Sequence, residues 1–335
     1  MKILFIGGNG NISWWCVQRA IEKGYDVWEV NRAMTRKTRR PVQKEVHQII
    51  CDVRDADTMR AVLNKQSFDV VCDFISYDGK QAEQMVDLFL DKTNQYIVIS
   101  SEAVYKRQPD AMPFSEESEK YCLDEVSDCS YIKGKIEMEG VYMSAYRDMN
   151  FPVTIVRPAY TYDLIIHTSA GGNCFTAIKK MQDGYPMIVY GDGNNVLVPM
   201  HSKDFSRYFI ELCGNKTTIG ESYHIVGQEQ ISLNKMAECV MEAFHVEKNG
   251  IIHIPPKDVL ANEIFSFNEL IRQQMLDYVF DSHKINIIVN NQKINISYKD
   301  GIQETANLLM NNCNYRRIDE TVNERLDKIY KMYDR

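Results

Sequence analysis

The 335 residues are 44% hydrophobic and 25% charged, the balance of an ordinary globular chain with ample core, and their number suggests roughly two domains. A net charge of −7 argues against general nucleic-acid affinity, no apolar run has membrane-spanning length, and with a buried strand expected at the N-terminus no leader is expected. Nine cysteines without C-x-x-C spacing fit reduced thiols in a cytoplasmic protein better than disulfides or zinc, and no metal site is expected.

Taken in chain order, the first elements make one unit. Ile3–Ile6 is a short apolar run suited to a strand buried on both faces. The turn through Gly7, Gly8 and Gly10 lets backbone approach a ligand without Cβ interference. The helix behind it offers amide N–H groups and a positive dipole end to a phosphate. Gly24 suits the helix C-terminus, and Tyr25–Val30 a second strand. Gly-x-x-Gly between a buried strand and a helix, with a second strand ending near residue 31, is a βαβ dinucleotide-binding opening. It nominates Gly7, Asn9, Gly10, Asn11 and Ile12 as cofactor contacts, with Ser13 at the third small position.

Where the second strand ends, an acid would hold the adenosine ribose hydroxyls and an arginine would accommodate a 2′-phosphate. The chain has Asn31 and Arg32 there, with Arg36, Lys37, Arg39 and Arg40 close behind, which tilts the expectation toward NADP over NAD. A solvated basic loop is the alternative for residues 36–40. Val46–Ile50 reads as a third strand. Asp52 and Val53 beyond it are candidates for the adenine, although Asp52 could equally cap a helix running to about Lys65. A fourth strand at Phe68–Phe74 brings Phe74 and Ser76 toward the cofactor; a helix over Gln81–Leu90 and a fifth strand at Tyr96–Ser100 follow. Such alternation predicts an α/β, Rossmann-type doubly wound parallel sheet, with ligands at the strand carboxyl ends.

The chemistry begins at that fifth strand, where Ser100 and Ser101 supply hydroxyls. Thirty residues on, Tyr131 and Lys135 open a helix four apart and therefore share a face. A phenol, with a reference pKa near ~10, is a poor base at neutral pH; a neighbouring ammonium favours its phenolate. Tyr131 is then the acid/base, Ser101 a hydrogen-bond donor to the same substrate oxygen, and Lys135 the supporting cation.

These residues resemble the extended short-chain dehydrogenase/reductases, the NAD-dependent epimerase/dehydratase proteins, along nearly the whole chain. The resemblance rests on Gly7-x-x-Gly10, Asp52-Val53, Ser-Ser-x-x-Val-Tyr at 100–105, Tyr131-x-x-x-Lys135, Val156-Arg157-Pro158, Gly191-Asp192-Gly193 and His201-x-x-Asp204. It is nearest to a bacterial branch akin to chloroplast stem-loop RNA-binding proteins. The resemblance implies that Lys135 holds the nicotinamide ribose, that Pro158 and the segment after it lie beside the nicotinamide, and that the substrate is a nucleotide sugar bound mainly by the C-terminal part. It also implies a homodimer through the Tyr131 helix and its neighbour at 81–90. Departures are Lys106 for the glycine of Val-Tyr-Gly, and Tyr162-Asp163-Leu164 for Tyr-Gly-Pro. Sugar 4,6-dehydratases carry Thr-Asp-Glu where this chain has Ser101-Glu102-Ala103, which ranks dehydration below epimerisation or reduction. Glu102, Tyr162 and Asn173 are the substrate candidates.

A sixth strand, Phe151–Val156, ends at Arg157-Pro158. Beyond it, Ile188–Tyr190 reads as a strand, His201 as a structural partner of Asp204, and Tyr223–Val226 as a seventh strand rejoining the main sheet. Ser232 caps a helix to about Phe244, Ile251–Ile254 is a short strand, and 261–280, Asp300–Leu309 and Arg316–Tyr333 read as helices. The expected division is a dinucleotide domain at 1–163 plus about 197–228, and a substrate domain at about 164–196 plus 229–335. The expected function is an NAD(P)-dependent oxidoreductase or epimerase. A non-catalytic cofactor-binding protein with an RNA or protein partner, and a reductase of a non-sugar carbonyl, are the alternatives.

Overall fold

The computed structural model describes residues 1–32, 39–168, 175–266, 269, 276–290 and 296–333. Its strands are β1 (Lys2–Ile6), β2 (Asp26–Asn31), β3 (His47–Ile50), β4 (Phe68–Asp73), β5 (Thr93–Ile99), β6 (Val153–Pro158), β7 (Thr161–Tyr162), β8 (Met187–Tyr190), β9 (Val196–Leu197), β10 (Met200–His201), β11 (Ser222–Ile225), β12 (Ile231–Ser232) and β13 (Ile251–Ile254). Seven of them form one parallel sheet in the order β11-β6-β5-β4-β1-β2-β3. The order reverses between β1 and β4, so the cleft outside their carboxyl ends is the topological switch point where such sheets bind ligands.

Alternation along the strands sorts the core into two layers. Ile3 and Phe5 of β1 pack with Cys16, Val17, Phe205 and Phe209, from α1 (Ser13–Glu22) and α6 (Ser202–Leu212). Leu4 and Ile6 pack on the other face, under α2 (Ala56–Leu63), α3 (Gly79–Phe89) and α4 (Ser130–Met149). The smaller half has its own core, which joins α5 (Thr176–Gln182) and α7 (Leu233–Ala243) to Leu197, Tyr278, Phe280 and Ile302. Helix Tyr298–Asn311 starts at its Ser297 cap, and helix Glu320–Met332 buries Val322, Leu326 and Ile329. No described helix is long and apolar enough to cross a membrane.

Three expectations need correction. Asp55, not Asp52, caps α2, accepting from the Thr58 N–H; Asp52 is spent on Arg54, which reaches it through its backbone N–H, Nε and Nη2. His201 does not bond Asp204: its Nδ1 caps α6 by accepting from Lys203 N at 3.1 Å, while Asp204 accepts from the Ile296 N–H and Arg207. Residues 261–280 are not one helix. Pro256 starts a short one that ends at Ala261, Glu263 has a positive φ of 53°, and Phe280 bridges in parallel to Phe114.

Candidate active site

The site grows from the turn after β1. Gly7 has φ of +78°, and a Cβ there would collide with Ile75, so the close approach of the β1 and β4 ends requires glycine. Ser13 closes the turn: its Oγ donates to the Gly7 carbonyl at 2.7 Å and accepts from the Gly10 N–H at 2.8 Å. Ile12 stands at the N-cap of α1 with no side-chain cap, which leaves the positive end of the helix dipole to an anion. The Asn9 Oδ1 and the Ser100 Oγ are buried without hydrogen-bond partners, a feature that bound ligand groups would resolve. The residues present therefore fit a dinucleotide.

Asp73 organises the next wall. Buried at the end of β4, it accepts from the Ile75 and Ser76 N–H groups at 2.8 and 3.1 Å, from the Ser76 hydroxyl, and from Tyr96 Oη at 2.8 Å. This fixes Ser76, whose carbonyl, with that of Ile99 at the end of β5, accepts from the Lys135 Nζ at 2.8 and 2.7 Å. Lys135 is thus pinned across two strand ends with Tyr77's ring 4.5 Å from its Nζ. Burial lowers its pKa to about 8, against the opposing pull of Asp73 and Glu139. Tyr131, one turn earlier on the same helix face, is 36% exposed. Glu139, one turn later, chelates Arg157 through Nε and Nη2, both at 2.8 Å, and so locks α4 to β6.

On the other side stands Ser101, which donates to the Glu102 carboxylate at 2.6 Å. Burial raises the Glu102 carboxyl above its usual range, with Arg107 and the Ser101 bond pulling it back. Arg107 is itself lowered to about 9 by burial, partly restored by Glu102. Lys135 is thus held at the carboxyl ends of β4 and β5, with Tyr131 one turn before it on α4 and Ser101 two residues beyond β5.

A profile of the NAD dependent epimerase/dehydratase family matches residues 3–226. The chain belongs to that family, and is an NAD-dependent enzyme by membership. The chloroplast stem-loop binding protein of 41 kDa b of Arabidopsis thaliana is 26% identical over 77% of this chain and 67% of its own length. The fold is shared with dTDP-glucose 4,6-dehydratase DesIV of Streptomyces venezuelae, solved with NAD and TYD bound (TM-score 0.74, 17% identity, 95% and 99% of the two chains). It is also shared with UDP-glucose 4-epimerase of Thermotoga maritima, solved with UDP-glucose (TM-score 0.73, 16% identity, 93% and 99%).

For this epimerase/dehydratase-family chain, the other expected contacts fall in different places. Asn31 Nδ2 donates to Glu29 and Gln48, and Arg32 stands 3.8 Å from Asp52 at the rim. Val53 is buried, its carbonyl held by Gln84. Phe74's ring stacks on Phe5 and leans on Phe209, so only its backbone faces the cleft end of β4. Pro158 ends β6, paired with Ile225. The Asn11 Oδ1 accepts from the Ile165 N–H at 3.0 Å and ties the turn to the segment after β7. Tyr162 is 1% exposed, with its ring against Tyr298 and its hydroxyl directed at the Ser297 carbonyl, which leaves it no face for a substrate. Asn173, like Arg36 and Lys37, lies outside the described residues.

Two site residues escaped sequence reasoning. Glu29, in β2, is buried under the turn, and burial raises its carboxyl to about 7. The signal was an acid between Trp28 and Val30 in a strand otherwise expected to be apolar. Asp73 carries a similar signal at the end of Val-Val-Cys.

Proposed function

We propose that the chain is an NAD(P)-dependent oxidoreductase or epimerase that acts on a hydroxyl or keto group of a nucleotide sugar. The observation that carries this reading is Lys135 pinned between the Ser76 and Ile99 carbonyls, one helical turn from Tyr131. The bound nicotinamide supplies hydride transfer to and from the substrate carbon. Tyr131 moves the proton of the substrate oxygen, Ser101 orients that oxygen, and the Lys135 ammonium lowers the cost of the phenolate. For Ser101 to do so, its hydroxyl must turn from Glu102 to the substrate, or share its proton between them. Residues 1–163 and about 197–228 would hold the cofactor, and about 164–196 and 229–335 the sugar nucleotide. Arg32 favours NADP as the dinucleotide.

The same reading includes a homodimer. Between α3 and α4 runs an open groove of about 890 Å³ whose apolar floor (Val86, Leu90, Val141 and Met149) is rimmed by charged side chains, Lys80, Glu83, Asp87, Glu137 and Asp148 among them, a mixed face that the equivalent helices of a second copy would cover. A second function, a cofactor-holding protein with an RNA partner, is favoured by the stem-loop binding relative and opposed by the net charge of −7.

The test is Tyr131→Phe assayed with UDP- and dTDP-hexoses in the presence of NAD or NADP. Turnover should fall about 10²- to 10⁴-fold while dinucleotide affinity stays unchanged. Undiminished turnover in Tyr131→Phe, or a wild-type chain that binds RNA and turns over no sugar nucleotide, refutes this reading.

A further inference from the structure

A second set of contacts crosses the mouth of the cleft, and it engages Arg39 and Arg40 in ways that the 2′-phosphate expectation did not foresee. Arg40, from the segment between β2 and β3, makes a bidentate pair with Asp163, from the segment after β7, through Nη2 at 2.8 Å and Nε at 3.1 Å. The pair is nearly buried, with side chains 13% and 2% exposed. Trp15 Nε1 adds a third bond to the same carboxylate at 3.0 Å, and the guanidinium lies 5.0 and 5.2 Å from the Trp14 and Trp15 rings. Trp14 Nε1 donates to the Pro41 carbonyl at 2.8 Å, and Gln43 donates back to the Trp14 carbonyl at 3.2 Å. The segment at 39–43 is thereby clamped onto the first turn of α1. The clamp needs a carboxylate at 163, where the family pattern carries glycine.

The consequence falls on the neighbouring residue. Arg39 Nη1 points at the Asn9 carbonyl in the glycine turn, at 3.4 Å, and its charge acts on both Glu29 beneath the turn and Tyr77 at the end of β4. That places a guanidinium at the switch point, beside the glycine turn and the N-terminus of α1. A planar guanidinium held at the glycine turn can meet a phosphate through two parallel N–H bonds.

We propose that Arg39 is a ligand of the cofactor's diphosphate, delivered to the glycine turn by the Arg40–Asp163 anchor. Arg39 is a binding residue; Arg40 and Asp163 are positioning residues that act through it. The inference rests on the dinucleotide reading above and adds where the phosphate charge is met.

The experiment is equilibrium titration of the full chain with NADH and NADPH, read by quenching of tryptophan fluorescence. Variants are Arg39→Gln, Arg39→Lys, Asp163→Asn and the Arg39→Gln/Asp163→Asn double. Loss of a charge-assisted bond predicts Kd raised about 10- to 100-fold for both dinucleotides in Arg39→Gln, with partial recovery in Arg39→Lys. Asp163→Asn should weaken both several-fold, and Arg39→Gln should then cost less than in the wild-type background. Arg39 is exposed, so an unchanged thermal midpoint is expected of its variants. Unchanged affinity in Arg39→Gln overturns the proposal, as does a loss confined to NADPH, which would place Arg39 on the 2′-phosphate. An Arg39→Gln effect equally large in both backgrounds overturns the anchor. A wild-type chain that binds neither dinucleotide removes the cofactor reading itself, and this inference with it.

Discussion

Glu29→Gln isolates a cost that the fold carries under its glycine turn. The carboxyl is raised from an ordinary 4.5 to about 7 because burial disfavours the charge; Asn31, Arg39 and the Asn9 backbone lower it only in part. A carboxyl with a raised folded pKa binds more protons folded than unfolded, so its contribution to stability is present below about pH 4.5 and is lost as pH rises through about 7. At ~1.4 kcal/mol per pKa unit, the loss between pH 5 and pH 8 is roughly 2.5 kcal/mol. The glutamine keeps the acceptor and the shape but cannot ionise. Its advantage over the wild type should therefore grow by that amount from pH 5 to pH 8, about 5 °C in thermal midpoint for a chain of this size. Paired melting curves at the two pH values, without added dinucleotide, measure it. Parallel pH profiles for the two proteins would show that Glu29 is solvated in the folded state, and would refute the burial argument.

Lys135 titrates in the opposite sense. With a folded value lowered to about 8, its ammonium is lost above that pH, so kcat/KM should fall as pH rises through about 8, and Lys135→Met should remove that limb along with most of the activity. Arg157→Met leaves the buried Glu139 with Lys120 as its remaining cation and without the bidentate bonds that join α4 to β6, and should cost about 3 kcal/mol, the low end for a broken buried pair, in urea unfolding; Glu139→Gln in the same chain should recover part of it. At Gly140 nothing lies within contact of an added Cβ, so Gly140→Arg should fold normally and, in the proposed homodimer, shift the sedimentation coefficient from dimer to monomer. An unchanged coefficient, or a monomeric wild type, would remove the proposed α3–α4 interface.

The main sheet was legible because its strands are short apolar runs between glycine or acidic breaks, and buried parallel strands announce themselves that way. Gly7 through Ser13, Ser101, Tyr131 and Lys135 could be named as candidates because the signals that nominate them are local in the sequence. What stayed hidden depends on contacts distant in sequence. Asp163 reads only as a departure from a glycine until Arg40, over a hundred residues earlier, is seen to meet it. Tyr162 reads as a polar aromatic beside the site, yet Tyr298 and Ser297 from the far end of the chain bury it. His201 and Asp204 have helical spacing, but Ile296 claims the acid and Lys203 the imidazole. Residues 261–280 have helical composition, but Glu263 and the Phe114–Phe280 bridge interrupt them.

The central claim is that the glycine turn and the pinned Lys135 serve one dinucleotide on which Tyr131 and Ser101 act. Titrating the purified chain with NADH and NADPH, with Trp14 and Trp15 on the first turn of α1 as reporters, tests it most directly. The account predicts saturable binding of one dinucleotide per chain, much weaker in Lys135→Met and unchanged in Tyr131→Phe. Binding of neither dinucleotide would contradict it.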